Sequence, residues 1–376
     1  MSPYQGILFF GILILLLLPA AALGLCGRSL RLYGMLATLV MLFLFFDTWR
    51  ARLLLALFWL LQTLLCFGYL ALRRKRGERW LLWIALLLSL APLILTKLGG
   101  LLPPLRTLGF LGVSYMSFRA AQVLIEIYDG HIKELSLLDL SSFILFFPSV
   151  ASGPIDRYRR YAGDLHAQRS GEEYAALLRE GVWKLAVGAF YNFALGNLIW
   201  QFWLARLPAH GFLAGWSYLY GYTFYMFFNF AGYSRMAVGT AYILGIRMPD
   251  NFNMPFLSVD MKDFWSRWHI SLSTWLRDYV YTRFAMASVR GKWFRGSRTG
   301  SYLGYFITMT LMGLWHGLTP AYLVYGLYHG VLMALNEVLD TKWKRFKKLK
   351  KKPAAQAVMI LITFHLFGFG LLIFSG

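Results

Sequence analysis

The chain has 376 residues, of which 58% are hydrophobic, 18% are aromatic and only 15% are charged. Soluble domains carry about 25% charged residues, so this composition excludes a soluble globular enzyme and a disordered chain. It predicts a polytopic membrane protein. The formal net charge is +21, but the cations lie in short stretches between apolar runs, and this distribution does not favour nucleic acid as a partner.

Basic clusters indicate which loops face the cytoplasm. Of the 38 Lys and Arg residues, 21 lie in three clusters, at 73–79, 262–298 and 342–352. The positive-inside rule accounts for such clusters, and a basic cytoplasmic face can also attract an acidic protein or anionic lipid of the bilayer. The first cations, Arg28 and Arg31, follow the first apolar run, which predicts an outside N-terminus. The side of the C-terminus stays open, because one misassigned re-entrant segment would reverse it.

Apolar runs predict about 11 transmembrane helices. These runs lie at 4–25, 33–47, 51–72, 80–98, 107–128, 183–204, 212–231, 236–247, 302–317, 320–338 and 355–374. The run at 140–152 is shorter and predicts a re-entrant or half-buried element. Residues 250–301 form the longest region without a span, and their dense tryptophans predict interfacial or re-entrant helices. The expected fold class is therefore an all-α polytopic membrane protein.

His316 is the strongest candidate for chemistry, because an ionisable residue within a span is costly and so is a functional candidate. Gly313 and Gly317 flank it, which would let backbone or substrate approach closely. A neutral imidazole can accept a proton near neutral pH. The alternative is a hydrogen-bonded histidine that packs helices together, and this structural role is the one expected for His329 and His365.

His269 is the second candidate, in a segment crowded with aromatic, cationic and hydroxyl groups. Helical spacing predicts that Trp265, Trp268 and His269 share one face, which would either form an interfacial aromatic belt or line a polar passage. His269 and His316 are 47 positions apart with a predicted span between them, so spacing alone does not place them together. The two cysteines, Cys26 and Cys66, offer no metal-ligand spacing, and no metal site is predicted.

Six ordered motifs resemble the membrane-bound O-acyltransferase family over most of the chain. They are SGPIDRYRR at 152–160, FNFAGYS at 228–234, NFNMPF at 251–256, FWSRWHISLS at 264–273, WLRDYVY at 275–281 and MGLWHG at 312–317. The DRYRR ending is similar to that of the branch that transfers D-alanine to teichoic acids. Relatives that acetylate polysaccharides often carry Asp at the positions of Asn229 and Arg235, and this difference counts against an acetyltransferase.

The resemblance implies a single membrane-embedded acyltransferase domain over 1–376, built around a central tunnel. It implies peripheral spans at 1–130, a catalytic core at 140–335 and a C-terminal span at 354–376. The last motif carries the family's central histidine, which matches His316, and His269 matches its second histidine. The residues that the resemblance places along the substrate tunnel are Trp315, Trp265, Trp268, Arg267, Asn253 and Ser234.

The resemblance also implies a reaction and its partners. No cofactor would be bound permanently, and the donor would be D-alanine held as a thioester on the phosphopantetheine arm of a D-alanyl carrier protein at the cytoplasmic face. The acceptor would be a hydroxyl of teichoic acid or of an extracellular or membrane-anchored relay protein of D-alanylation. His316 would act as the general base, and His269 would organise the entry or the thioester arm. The protein would lie in a bacterial cell membrane.

One segment is a candidate docking site for the acidic carrier. Residues Arg283, Phe284, Met286 and Arg290 place apolar groups between cations, and the alternative is an ordinary interfacial helix. Three other functions stay open at this point. A polysaccharide O-acetyltransferase of the same family would use an acetyl donor, a transporter would use broken helices and midplane histidines as a permeation path, and a scaffold would tolerate loss of both histidines.

Overall fold

The computed structural model describes residues 1–208, 210–296 and 298–376, and its regular secondary structure there is helical. In lipid the backbone must satisfy its own hydrogen bonds, which an apolar helix does. The helices are α1 Gly6–Leu25, α2 Arg31–Phe45, α3 Trp49–Lys75, α4 Arg79–Leu98, α5 Val113–Tyr128, α6 Leu137–Leu145, α7 Tyr158–His166, α8 Gly171–Ala189, α9 Asn197–Phe202, α10 Phe212–Ile243, α11 Met261–Arg267, α12 Ile270–Leu276, α13 Thr282–Arg290, α14 Thr299–His316, α15 Pro320–Lys342, α16 Lys344–Leu349 and α17 Pro353–Ser375.

Four described helices, α1, α3, α4 and α17, are long and apolar enough to cross a membrane, with mean hydropathies of 2.1 to 2.7. Many of their large apolar side chains point outward, as Ile7 does with 93% of its surface exposed. Lipid contact explains this exposure, which would be unfavourable in water. The all-α membrane class is confirmed, while the count of about 11 spans and the central tunnel stay predictions.

The chain divides into two compact units. The first contains Met1–Phe190 and Gly232–Pro249, and the second contains Tyr191–Ala231 and Asp250–Gly376. The predicted boundary between spans at 212–231 and 236–247 is wrong, because α10 continues without a break from Phe212 to Ile243. The predicted partition into peripheral spans, catalytic core and C-terminal span stays a prediction.

A buried arginine organises the first unit around the SGPIDRYRR motif. Arg119 on α5 is 1% exposed and donates to the carbonyls of Phe143 at 3.1 Å and Ser149 at 2.7 Å. Gln122, one turn later, donates to the Asp156 carbonyl at 2.8 Å. A buried guanidinium needs such acceptors to offset its desolvation. The Arg119 bonds hold the segment before the motif against α5, and the Gln122 bond holds Asp156 of the motif there.

The segment at 250–301 consists of short helices in the second unit. The helices α11 and α12 have seven residues each, far fewer than the roughly 20 that a span needs. A π-helical turn, Arg277–Tyr281, connects α12 to α13. The structure thus agrees with the prediction that this region contains no span, and the two candidate histidines both lie in this unit.

Candidate active site

His316 is the last residue of α14, at the turn that leads into α15. Glycines let the two helices approach closely there. A methyl group on Gly326 would lie 2.7 Å from the carbonyl oxygen of Met309, and one on Gly317 would lie 2.5 Å from the Tyr322 ring. Because a helix pair packed this closely has little freedom to shift, the position of His316 is set by the hairpin.

Aromatic rings surround the His316 imidazole. The ring centroid of Trp315 lies 4.8 Å away, that of Phe374 on α17 lies 5.0 Å away at a right angle, and that of Tyr325 lies 6.2 Å away. His316 is only half-buried. The rings therefore fix the plane of the imidazole while one side of the residue stays open.

His269 lies in a sharp turn between α11 and α12. Its φ of +45° is in the left-handed region, which costs free energy for a residue with a Cβ atom. Asn251 stabilises the turn, because its carbonyl accepts from Ile270 N–H at 3.0 Å and its side-chain oxygen accepts from Ser271 N–H at 3.1 Å. These bonds hold the backbone in the conformation that turns the imidazole inward.

The His269 imidazole is almost fully buried, at 3% exposure, with the Phe230 ring 4.8 Å away and nearly perpendicular. Burial, and secondarily the charge of His316, lower the pKa of His269 from 6.5 to about 3. The ring is therefore neutral at physiological pH. Among the described residues its Nδ1 atom has no hydrogen-bond partner, so one ring nitrogen is available to a ligand.

Trp315 brings the two candidate histidines into one site. Its ring centroid lies 6.2 Å from that of His269 and 4.8 Å from that of His316. Residues 47 positions apart thus contact the same indole. The site combines a half-buried imidazole with a fully buried neutral one, a pairing suited to proton transfer at one ring and hydrogen bonding at the other.

The prediction that Trp265, Trp268 and His269 share one helical face is wrong. The helix α11 ends at Arg267, Trp268 is extended and His269 is left-handed, so the three side chains diverge. Trp265 contacts His329 with centroids 5.2 Å apart, whereas Trp268 packs 4.7 Å from Phe367 on α17. The three residues therefore do not form a single helical face, and Trp265 and Trp268 are buried inside the protein.

His329, for which the sequence predicts a structural role, joins the same aromatic cluster. Its side chain has no exposed surface, and within the described chain neither ring nitrogen has a hydrogen-bond partner. Tyr325 lies between the histidines, 4.6 Å from His329 and 6.2 Å from His316. His316 and His329 lie in the similar segments LWHG at 314–317 and LYHG at 327–330, the first at the end of α14 and the second in α15.

A cavity of about 310 Å³ lies beside this cluster within the second unit. Trp265 and Met312 line it, and Met312 is one helical turn before His316. The other lining residues are Lys262, Ser266, Leu272, Ser273, Thr274, Leu276, Arg277, Tyr281, Tyr305, Thr308, Met309 and Met333. The π-helical turn presents both Arg277 and Tyr281 to the cavity, which combines apolar walls with hydroxyls and two cations.

Three other predicted tunnel residues lie in different surroundings. Arg267 pairs with Asp263 at 2.7 Å and does not line the cavity. Asn253 is exposed, and its N–H donates to the Arg267 carbonyl at 3.0 Å. Ser234 belongs to the first unit, where its hydroxyl is buried and has no partner among the residues described. Whether these three contact substrate stays a prediction.

The predicted docking segment forms the single helix α13. Met286 and Arg290 are exposed there, and Val289 extends the same outward surface at 65% exposure. Phe284 instead is half-buried and packs 5.8 Å from Trp293. Arg283 is also half-buried. The exposed surface is therefore formed by Met286, Val289 and Arg290 rather than by all four predicted residues.

Comparisons with known proteins agree with the motifs and the helical site. The profile of the membrane-bound O-acyltransferase family matches residues 3–375. The chain is 44% identical over 389 residues to a teichoic acid D-alanyltransferase of Bacillus subtilis, covering 100% of this chain and 98% of the relative. It is 34% identical over 395 residues to one of Streptococcus thermophilus, covering 100% and 95%.

Similarity extends beyond D-alanyltransferases to enzymes with another acyl group. The chain is 33% identical over 352 residues to a protein of Pseudomonas fluorescens named as a probable alginate O-acetylase, covering 87% of this chain and 66% of the relative. The names of these relatives have the transfer of an acyl group in common. The chain belongs to the membrane-bound O-acyltransferase family and is a multi-pass acyltransferase of a bacterial cell membrane.

Proposed function

We propose that the protein transfers D-alanine from a thioester on the phosphopantetheine arm of a carrier protein to a hydroxyl of teichoic acid or of a relay protein. The observation that carries this proposal is the histidine pair at Trp315 in a chain 44% identical along its length to a teichoic acid D-alanyltransferase. A protein that acts on a thioester and a hydroxyl needs a base and a hydrogen-bond donor, and the pair offers both.

His316 is the general base in this proposal. Its imidazole accepts the proton of the acceptor hydroxyl while the oxygen attacks the thioester carbonyl carbon. Collapse of the tetrahedral intermediate breaks the C–S bond, and the leaving sulfur takes the proton from His316. The products are an ester and a free thiol, and His316 returns to its neutral form. Assistance of this kind contributes about 10²–10⁴-fold to a rate.

His269 is the hydrogen-bonding partner of the donor. A buried ring with a pKa of about 3 stays neutral during turnover, so it is a poor proton carrier. Its Nδ1 atom, which has no partner among the residues described, can instead donate a hydrogen bond to the thioester carbonyl oxygen. Such a bond is worth more in a buried site than in water, and it strengthens as negative charge develops on that oxygen.

The cavity beside Trp265 is the proposed path of the thioester arm. The arm is a slender chain with amide groups, and hydroxyls of Ser266, Ser273 and Thr274 line the cavity together with apolar residues. Arg277 also lines it, and its guanidinium can bind the phosphate at the base of the arm, whereas Lys262 is paired with Glu337 and Asp340. This arrangement would lead the thioester toward Met312 and then His316.

The outward surface of α13 is the proposed contact for the carrier. Met286 and Val289 expose apolar surface beside the cation of Arg290. An acidic carrier with an apolar patch near its modified serine complements this combination, since charge steers the encounter and apolar contact holds the complex.

The test measures the amount of ester-linked D-alanine on the envelope polymers of cells that lack the gene. These cells are complemented with wild type, His316→Ala or His269→Ala at matched membrane abundance. Wild type should restore D-alanine, His316→Ala should not, and His269→Ala should restore a small fraction. Full restoration by His316→Ala would remove this residue as the base, and no restoration by wild type would remove D-alanine as the acyl group.

Acetyl transfer to an exported polysaccharide is the second candidate, favoured by the 33% identity to an alginate O-acetylase. Asn229 stands where such relatives often carry Asp, and this difference counts against acetyl transfer. The carbonyl of Asn229 accepts from the Asn192 side chain at 3.0 Å. The identity of the acyl ester released by mild base from the complemented cells distinguishes acetate from D-alanine.

A further inference from the structure

A second cavity, of about 230 Å³, lies in the first unit and is not used by the proposed reaction. It lies where α1 ends and α2 begins, and the segment after α7 closes it. Its lining residues are Gly24, Gly27, Arg28, Ser29, Leu30, Arg31, Asp164, Leu165, His166, Ala167, Gln168, Arg169, Tyr174, Leu244, Gly245 and Ile246. Three arginines and one histidine face one carboxylate, so the lining is cationic.

The carboxylates near this cavity are already bound. Asp164 pairs with Arg169 at 2.5 Å, and its other oxygen accepts from Arg247 N–H at 2.8 Å. Asp139, behind the wall, accepts from Arg31 at 2.8 Å and contacts His166 at 2.8 Å. Neutralisation of Asp164 and Asp139 uses the charges of Arg169 and Arg31 and leaves that of Arg28 in excess.

Donors for an added anion remain on the cavity wall. The exposed guanidinium of Arg28 has no acceptor within the described ranges. Arg31 uses Nε and one terminal nitrogen for Asp139 and Ser136, whereas a guanidinium carries five N–H donors. The start of α2 also contributes the positive end of its dipole. Ser29 Oγ accepts from the Arg31 N–H at 3.4 Å, and Leu30 gives the helix no side-chain cap among the residues described.

We propose that this cavity binds the phosphate group of an anion at the level of the lipid headgroups. The spanning helix α1 ends at Leu25, only three residues before Arg28, so the cavity lies at the edge of the bilayer. The guanidinium groups of Arg28 and Arg31 can together bind several oxygens of a phosphate group. They suit a phosphate better than a carboxylate, which offers only two oxygens. The phosphate belongs either to an anionic phospholipid or to a soluble phosphate ester, and the positive-inside rule predicts the cytoplasmic leaflet.

Two matched pairs of variants test the proposal. Arg28→Gln removes the unpaired cation, and Arg76→Gln removes another exposed cation, from the basic cluster at 73–79. Ala167→Glu places a carboxylate on the exposed wall of the cavity, and Ala167→Gln places a side chain of the same size without charge. Full-length protein in detergent, stripped of lipid, is titrated with phosphatidylglycerol, phosphatidylcholine, glycerol phosphate or inorganic phosphate. Bound ligand is counted by native mass spectrometry.

Arg28→Gln and Ala167→Glu should each raise the Kd for phosphatidylglycerol about tenfold or more, the effect of one charge-assisted hydrogen bond. Arg76→Gln and Ala167→Gln should bind as wild type does. The same pattern with glycerol phosphate or inorganic phosphate, and no added affinity for the lipid, would identify a soluble anion as the ligand. The proposal fails if Arg28→Gln and Ala167→Glu bind normally, or if both controls lose as much affinity as their partners.

Discussion

The rings of His269 and Trp315 lie 6.2 Å apart at an angle of 63°, and Trp315 precedes His316 in the chain. One indole thus contacts a buried imidazole from the α11–α12 turn and a half-buried imidazole at the end of α14. A shared indole keeps the two histidines at a fixed separation, because movement of either ring would open a gap in a packed cluster. Fixed separation is what the proposed base and the proposed hydrogen-bond donor would require in order to act on one thioester.

Loss of the His316 imidazole should abolish most turnover. His316→Ala should lower the rate of D-alanyl transfer about 10²–10⁴-fold, the usual contribution of a general base, and leave carrier affinity unchanged. His131→Ala is the matched control, since His131 is exposed in a loop and its loss should change nothing. The rate is measured in proteoliposomes with a loaded carrier. A transfer rate within threefold of wild type would contradict the assignment.

Acid should destabilise the protein through His269. The folded pKa of His269 is about 3 and its ordinary value is 6.5, so the unfolded state binds the extra proton between these values. The contribution of His269 to the free energy of unfolding is therefore complete above pH 6.5. It is lost as pH falls, at up to about 1.4 kcal/mol per pH unit.

The measurement is Tm against pH for wild type and His269→Asn. Asparagine tolerates the left-handed φ of this position but does not titrate, so its Tm should fall less steeply between pH 6.5 and 5. Equal slopes for the two proteins would show that His269 is not the titrating group. His365→Asn serves as a control. Both ring nitrogens of His365 have a partner, the Tyr220 hydroxyl at 2.9 Å and the Leu361 carbonyl at 2.7 Å, so this variant should keep the pH slope of wild type.

Composition and ordered motifs were sufficient to predict the helical membrane class and the family. They also singled out His316 and His269 as candidates, whose roles in the reaction stay predictions. Apolar periodicity depends on local residues, and α1, α3, α4 and α17 are accordingly close to their predicted bounds. The convergence of His269, Trp315 and His329 depends on packing between distant segments. No local pattern records this packing, and the left-handed turn at His269 removed the one helical face that spacing had suggested.

Helix boundaries were harder to predict where glycine and polar residues interrupt an apolar run, because such residues occur both at helix ends and at close helix contacts. The sequence predicts a full span at 212–231 and a short one at 236–247, with Gly232, Ser234 and Arg235 between them. In the structure α10 continues through these residues. A methyl group on Gly188 of α8 would lie 2.7 Å from the Gly232 carbonyl, so glycine here serves close helix packing in the first unit rather than a helix end.

A single methyl group at Gly313 should destabilise the α14–α15 hairpin. It would clash with the Tyr322 carbonyl and lie 2.9 Å from the Gly326 Cα atom. Overpacking of this kind costs about 1–3 kcal/mol, so Gly313→Ala should lower Tm and transfer activity together. Gly68→Ala in α3 is the control, since no described atom lies within 4 Å of the added methyl. A Tm for Gly313→Ala equal to that of Gly68→Ala would contradict the close packing.

Asp340 lies in an ionic cluster at the end of α15, and its loss should destabilise the protein. It accepts from Lys262 at 3.1 Å and from Lys350 at 2.5 Å. Partial burial raises its pKa, but the bonds and charges of Lys350 and Lys262 outweigh this effect and hold the pKa of Asp340 below 3.8. Asp340→Asn should reduce the free energy of unfolding at pH 7 by about 1–3 kcal/mol. Asp47 is exposed, so Asp47→Asn should change the free energy of unfolding little. Both variants are measured by denaturant titration, and equal losses of unfolding free energy would contradict a stabilising role for Asp340.

The α13 surface should lose carrier affinity when its apolar side chains become acidic. Met286 and Val289 lie three residues apart on one exposed face, and burial of each is worth about 1.5–3 kcal/mol. Met286→Asp with Val289→Asp should therefore weaken binding of the acidic carrier at least 100-fold, with added repulsion at low salt.

The control replaces both residues by leucine, which keeps the apolar surface and should keep affinity. Phe284→Asp is a poorer probe, because Phe284 packs against Trp293 and its loss would disturb the helix itself. Carrier binding is measured by interferometry on protein in nanodiscs. Equal affinities for the acidic and leucine double variants would place the carrier elsewhere.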